Sequence, residues 1–221
     1  MSESYWHLPL SEAMKINTQK VCKIDGCERN RVRVSSWCNY HTQRTNRSGH
    51  PLGSLPSRAR FRFVEREVKE LFEMNPSHPG IAHGVAFFEK WLADAMEGKD
   101  TPAAKAICYI AERGADPQDL FTLICAMYTR QGRETSPFIN HKNFLLAIGY
   151  RVCRHMGMPG NTIPKRRHTW DVGNHINKEI GPLCVRITYA VDELWRNKEE
   201  VKKKALISFN TEPDGMVEHD E

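Results

Sequence analysis

The chain has 221 residues, a formal net charge of +5, 40% hydrophobic and 27% charged residues. This balance is that of a globular chain and excludes a disordered polymer, a collagen-like fibre and a disulfide-packed toxin. The longest apolar runs, such as Phe144 to Gly149, are far too short to span a bilayer, and Met1 to Leu10 shows no charged-then-apolar leader. The expected location is therefore cytoplasmic, with no membrane partner. Disulfides are disfavoured there, so the seven cysteines need another explanation.

Charge is segregated along the chain. From Lys15 to Arg66 there are twelve Lys or Arg against Asp25, Glu28 and Glu65, a balance of +9. From Glu67 to Tyr150 eight bases meet eleven acids. Bases return at Arg151, Arg154, Lys165, Arg166 and Arg167, and the last ten residues hold five acids and no Lys or Arg. Such asymmetry points to one surface for a polyanion and another for solvent or protein.

Taken in order, residues 1–20 read as a weakly patterned arm. Residues 21–54 are poor in apolar groups and rich in Cys, Arg, Ser, Asn and Gly, so they cannot bury a conventional core. Within them, Val32 and Val34 alternate with Arg31 and Arg33 as in a short ribbon. From 55 to 209 the texture is helical. A first helix is expected from Ser57, as N-cap, to Met74, with Phe61, Val64, Val68, Leu71 and Phe72 on one stripe. Asn75 to Gly80 breaks it. A second carries Ile81, Val85, Phe88, Trp91, Leu92 and Ala95 and stops at Gly98. Thr101-Pro102 and Asp116-Pro117 open a third and a fourth, ending at Gly114 and Gly132. A fifth runs from Asn140 to Met156. Thr169 is expected to cap a short sixth, and Gly181-Pro182 to bend the chain into a last long helix toward Lys204. Residues 210–221 read as an acidic disordered tail. The expected fold is mainly α: a small zinc module followed by a bundle of six or seven helices.

The chemistry is concentrated in Cys22-x4-Cys27 and Cys38-x2-His41, two close pairs separated by ten residues. Each pair lets one turn present both side chains to a tetrahedral ion, and Gly26 permits the tight turn before Cys27. Thiolate-rich sets favour zinc over magnesium or calcium, and the histidine disfavours an iron–sulfur cluster. Four protein ligands leave no open position, so the expected cofactor is one structural zinc ion. His50 is the alternative fourth ligand, with His41 better spaced. Cys108, Cys125, Cys153 and Cys184 fall on apolar helical stripes, where cysteine behaves as a small hydrophobe.

Cys22-Lys-Ile-Asp-Gly-Cys27 and Trp37-Cys38-Asn-Tyr-His41, followed by Arg44, Arg47, Gly49 and Pro51, resemble small zinc modules of bacteriophage and mobile-element proteins. The resemblance covers residues 22–53. It implies association with nucleic acid, with homing-type endonucleases among the proteins that carry such modules. It also implies a phage or mobile-element origin and the cytoplasm of a host cell. The Asp-His and Asn-His pairs, spaced on a hairpin and helix, that an attached nuclease core would show are missing; Asn140-His141 and Asn174-His175 stand alone.

Arg29, Arg31, Arg33, Arg44, Arg47, Arg58, Arg60 and Arg62 surround the metal-ligand pattern, and arginine suits bidentate contact with phosphate or guanine. Trp37 and Tyr40 offer stacking to unpaired bases, although packing on the knuckle accounts for Trp37 as well. Lys165, Arg166 and Arg167 form a second basic candidate. The helices on either side of Gly181-Pro182 are compatible with a helix-turn-helix. No Walker, Gly-x-Ser-x-Gly or His-Glu-x-x-His pattern occurs, and Asp171 with His175, expected to meet at four-residue helical spacing, has no second carboxylate cluster or Gly-rich phosphate loop beside it. The expected role is a non-enzymatic nucleic-acid-binding protein acting in transcription or replication, DNA being favoured over RNA. The alternatives are a factor that binds a polymerase or other host protein, and a nuclease accessory or cryptic nuclease.

Overall fold

The computed structural model describes residues 8–98, 102–156 and 166–210. Eight α-helices account for its architecture, with no β-strand among the described residues: α1 (Leu10–Thr18), α2 (Asn39–Ser48), α3 (Arg62–Met74), α4 (Pro79–Met96), α5 (Pro102–Glu112), α6 (Pro117–Gly132), α7 (His141–Cys153) and α8 (Arg166–Asn210). The mainly α reading holds.

Helix α6 is the axis of the bundle. Its start is fixed by Asp116, whose carboxylate accepts from the Gln118 amide at 3.1 Å, with Pro117 supplying a preset first turn. Every residue from Leu120 to Thr129 is buried, as expected of a helix enclosed by α3, α4 and α8. Asn140 caps α7 by accepting from the Asn143 amide at 2.8 Å. Phe144, Leu145, Ala147 and Ile148 then enter the same core. The stripe Val64, Val68 and Phe72 of α3 and Ile81, Phe88, Trp91, Leu92 and Ala95 of α4 are buried as their spacing predicts. Leu71 and Val85 are half-buried against the core.

Helices α7 and α8 cross backbone to backbone. A Cβ on Gly149 would lie 1.8 Å from the Thr169 carbonyl oxygen, and one on Gly173 would lie 1.9 Å from that of Leu145. Only two residues without side chains permit this approach. Ion pairs close the outer seams. Arg133 bridges Glu67 at 3.0 Å and Asp192 at 2.9 Å, tying α3 and α8 to the end of α6, while Lys198 of α8 pairs with Glu70 of α3.

Several elements differ from the sequence reading. The arm over 1–20 carries α1, whose Ala13 and Asn17 are buried. Ser57 caps nothing. A 3₁₀ turn, Arg58–Arg60, follows it, and α3 begins only after the fully buried Phe61. Helix α4 starts at Pro79, inside the expected break, because His78 accepts from the Gly80 amide at 3.1 Å. The ribbon over Arg31 to Val34 is absent. A single antiparallel bridge, Val21 to Asn30, is followed by a turn in which Arg33 takes φ +51°.

The largest correction concerns the last two helices, which are one. Thr169 is a buried interior residue of α8, and Pro182 lies inside that helix. Pro182 lacks the N–H that would reach residue 178 and should cost about 3 kcal/mol. Yet Val172, Ile176, Ile180, Cys184, Ile187 and Val191 run through it as an unbroken buried stripe, with Pro182 itself exposed. Their burial, about 1.5–3 kcal/mol per large aliphatic side chain, outweighs the break. The helix-turn-helix reading falls with it. The cap at Thr101 and residues 211–221 of the expected tail lie outside the described residues, while Asn210, assigned to that tail, is the last residue of α8. No helix of the described residues is long and apolar enough to cross a membrane.

Candidate metal centre and its basic face

Residues 21–54 have almost no apolar core, and what gathers them is the four-residue cluster. Gly26, at φ +73°, turns the chain between Cys22 and Cys27 where a side chain would strain it. Cys38 stands at the N-cap of α2, so that His41, one turn on, returns to the same point. The four ligand atoms lie within 4.8 Å of one another. Cys22 Sγ and Cys38 Sγ lie 3.3 Å and 3.4 Å from His41 Nδ1, and Cys27 Sγ lies 3.9 Å from Cys38 Sγ. A disulfide needs about 2.05 Å, and all seven cysteines are free.

The electrostatics ask for a cation. Burial works against ionisation of Cys22, but amides of Cys38 and Ile24 and the His41 ring bring its thiol down to about 6. Cys27 accepts from the Arg29 amide, which favours its thiolate. Burial and the adjacent Cys22 and Cys38 sulfurs nevertheless leave it above the ordinary thiol value. Three sulfurs so close cannot all be ionised without a positive charge among them. Cys22, Cys38 and His41 are buried. This group can hold one metal ion, and among the described residues it is the one such group. His50 stays outside, its Nδ1 accepting from the Leu52 amide at 3.1 Å.

The eight arginines divide. Arg31 is turned inward: its Nε donates to the Val21 carbonyl at 2.9 Å and a terminal nitrogen reaches Asn17 Oδ1 at 3.4 Å. Arg44 donates to the carbonyls of Gly53 and Leu52 and to the Tyr40 hydroxyl, each at 3.1 Å. Arg58 pairs with Glu65 at 3.1 Å and Asp119 at 2.8 Å. Arg29, Arg33, Arg47, Arg60 and Arg62 are exposed. Arg166 and Arg167 open α8, where a helix dipole does not favour cations, and Lys165 lies outside the described residues.

Sequence reasoning missed what anchors the module. Asn17 Nδ2 donates to the carbonyls of Arg33 at 2.9 Å and Ser35 at 2.7 Å. Asn143 Nδ2 donates to those of Ser48 and Ser54. The four-residue spacing of Ala13 and Asn17 is the faint helical signal the sequence held; their burial is a fact of the fold. Three histidines outside the cluster have contacts that place them in the fold. His78 caps α4, and His155 contacts Asp119 at 3.3 Å. His175 packs on Phe87 and Trp91 rather than meeting Asp171. Cys125 and Cys184 sit 4.0 Å apart in the core, and burial pushes Cys153 up to about 12, which makes it an inert thiol. Comparison with family models, curated proteins and solved structures finds no match to this chain. The likeness of residues 22–53 to small zinc modules therefore has the clustered ligands behind it and no shown relative.

Proposed function

We propose that this chain is a zinc-stabilised nucleic-acid-binding protein without a reaction of its own. Zinc fits the ligand chemistry. Zn–S bonds of about 2.3 Å and Zn–N bonds of about 2.0–2.1 Å give tetrahedral edges of about 3.8 Å between sulfurs and about 3.6 Å from sulfur to nitrogen. The separations of 3.9, 3.3 and 3.4 Å lie close to those edges. With four protein donors the ion would be a structural tie, contributing on the order of 10 kcal/mol to a segment with no core.

The observation that carries the reading is what the tie organises. Five exposed arginines, Arg29, Arg33, Arg47, Arg60 and Arg62, stand on or beside the module in a stretch of charge balance +9. Each arginine that neutralises a phosphate adds about −0.9 to the slope of log affinity against log salt on duplex DNA and about −0.7 on single strands. Five give about −4.5 or −3.5 respectively. Metal analysis should return one zinc per chain, and gel shifts over a salt series should give a slope in that range. A salt-independent or absent interaction would overturn the reading.

A second reading, a protein-interaction factor, draws on an open groove of about 670 Å³ between α3, α4 and α8. Leu71, Phe72, Ile81, Leu183 and Ile187 floor it, and Arg186, His78 and His83 edge it. Pull-down with the same preparation separates the two readings.

A further inference from the structure

We infer that the module carries a stacking platform for an unpaired base at Tyr40, which makes single-stranded nucleic acid its ligand. This rests on the nucleic-acid reading above and narrows it.

Tyr40 occupies the first turn of α2 between two metal ligands in sequence, Cys38 and His41, yet 48% of it is exposed. An aromatic residue needed only to pack the knuckle would be covered. Trp37, the other aromatic here, is half-buried. The phenol ring is also held still. Its hydroxyl accepts from Arg44 at 3.1 Å, and Arg44 is itself fixed by the carbonyls of Gly53 and Leu52. The ring meets His41 edge-on, with centroids 5.1 Å apart and planes 69° apart, so a metal on His41 would brace it further. A tyrosine fixed at both ends loses little conformational entropy when a flat ligand arrives.

Two guanidinium groups lie over the ring, Arg29 at 5.1 Å and Arg44 at 5.6 Å from its centroid, so an arriving base would stack on the exposed Arg29 plane or take its place on the phenol. Neither has a carboxylate partner among the described residues. A base stacked on a phenol or guanidinium plane, with its phosphates near these cations, is the recurring arrangement for single strands. In a duplex the base faces are already stacked, and Tyr40 would have nothing to receive.

The test uses full-length, zinc-loaded protein. The probes are fluorescein-labelled oligodeoxythymidylate and oligouridylate of about 16 nucleotides, with a duplex of the same length. Both single strands should bind more tightly than the duplex, the better of the two identifying DNA or RNA as the source. Tyr40→Ala should weaken the single strands about 5- to 150-fold and leave the duplex unchanged. Tyr40→Trp should restore binding. A second measurement needs no variant: irradiation of the wild-type complex with a 5-iodouracil-substituted strand should cross-link Tyr40, identified by mass spectrometry. Equal affinity for strand and duplex, or cross-links that avoid Tyr40, would overturn the platform while leaving the nucleic-acid reading intact. No binding to any probe would overturn that reading as well.

Discussion

Asn143 Nδ2 donates to the carbonyl oxygen of Ser48 at 2.8 Å, joining the first turn of α7 to the last residue of α2 across 95 positions of sequence. The same amide donates to Ser54 at 3.1 Å, and the side chain is wholly buried. The module and the bundle are thus fastened by a polar clasp set among the apolar residues of α7.

Replacing Asn143 by Leu leaves two carbonyls facing an apolar group and should cost about 2–3 kcal/mol. Urea unfolding would show a lowered midpoint, and amide exchange would rise first over residues 48–54. An unchanged midpoint would mean that the clasp is redundant.

The crossing of α7 and α8 gives a sharper contrast. Gly173→Ala would set a Cβ 1.9 Å from the Leu145 carbonyl oxygen and force two buried helices apart, costing about 3 kcal/mol or more. Gly132→Ala meets only Thr188 Cγ2, at 3.7 Å, and should stabilise by about 0.5 kcal/mol through helix propensity. Thermal melts of both variants should move in opposite directions.

Where the sequence was legible, periodicity and punctuation agreed. Asp116-Pro117 and Asn140 mark helix starts that the side chains then make, and the metal-ligand spacing identifies four residues that do cluster. It misled where a local signal met a larger burial. Gly181-Pro182 is a strong breaker in isolation, but the stripe from Val172 to Val191 overrides it. Val32 and Val34 alternate, yet the loop between Cys27 and Cys38 is shaped by its carbonyl partners. No composition could say that Arg31, Arg44 and Arg58 have partners inside the chain while five neighbours stay exposed, because the distinction is one of distance.

Acid should weaken the bundle through His155, whose side chain is only 4% exposed. Burial and the nearby Arg58 hold its imidazole below the ordinary 6.5, against the pull of Asp119. The unfolded chain therefore takes up the proton first, and stability is lost as pH falls from about 6.5 through the lower folded value. Urea midpoints at about pH 7 and about pH 5 should differ less in His155→Gln than in the wild type. His175, also lowered chiefly by burial, supplies a remainder of the same sign. Equal pH dependence in both proteins would remove His155 from the account.

Arg31 and Arg33 should behave oppositely despite their two-residue spacing. Arg33 sits in the left-handed region at φ +51° with its side chain exposed. Arg33→Gly should relieve about 1 kcal/mol of strain and, if the side chain meets a phosphate, flatten the salt slope by about 0.7–0.9. Arg31→Ala breaks the bonds to Val21 and Asn17 and should lower stability by about 1–2 kcal/mol. Zinc-loaded samples of each variant, melted and titrated side by side, would show the exchange of effects.

Asn17 grips the loop between Cys27 and Cys38 by two carbonyls, and it does so from α1, the first helix described. A pull on the N-terminus therefore has a defined load path: along α1, through one amide, into the ligand loop. Tension applied there should open the Cys22, Cys27, Cys38 and His41 cluster before it reaches the bundle, whereas tension applied through α8 meets the packed core first. A tether or fused domain attached ahead of α1 should therefore disturb the cluster of Cys22, Cys27, Cys38 and His41 sooner than one attached after α8.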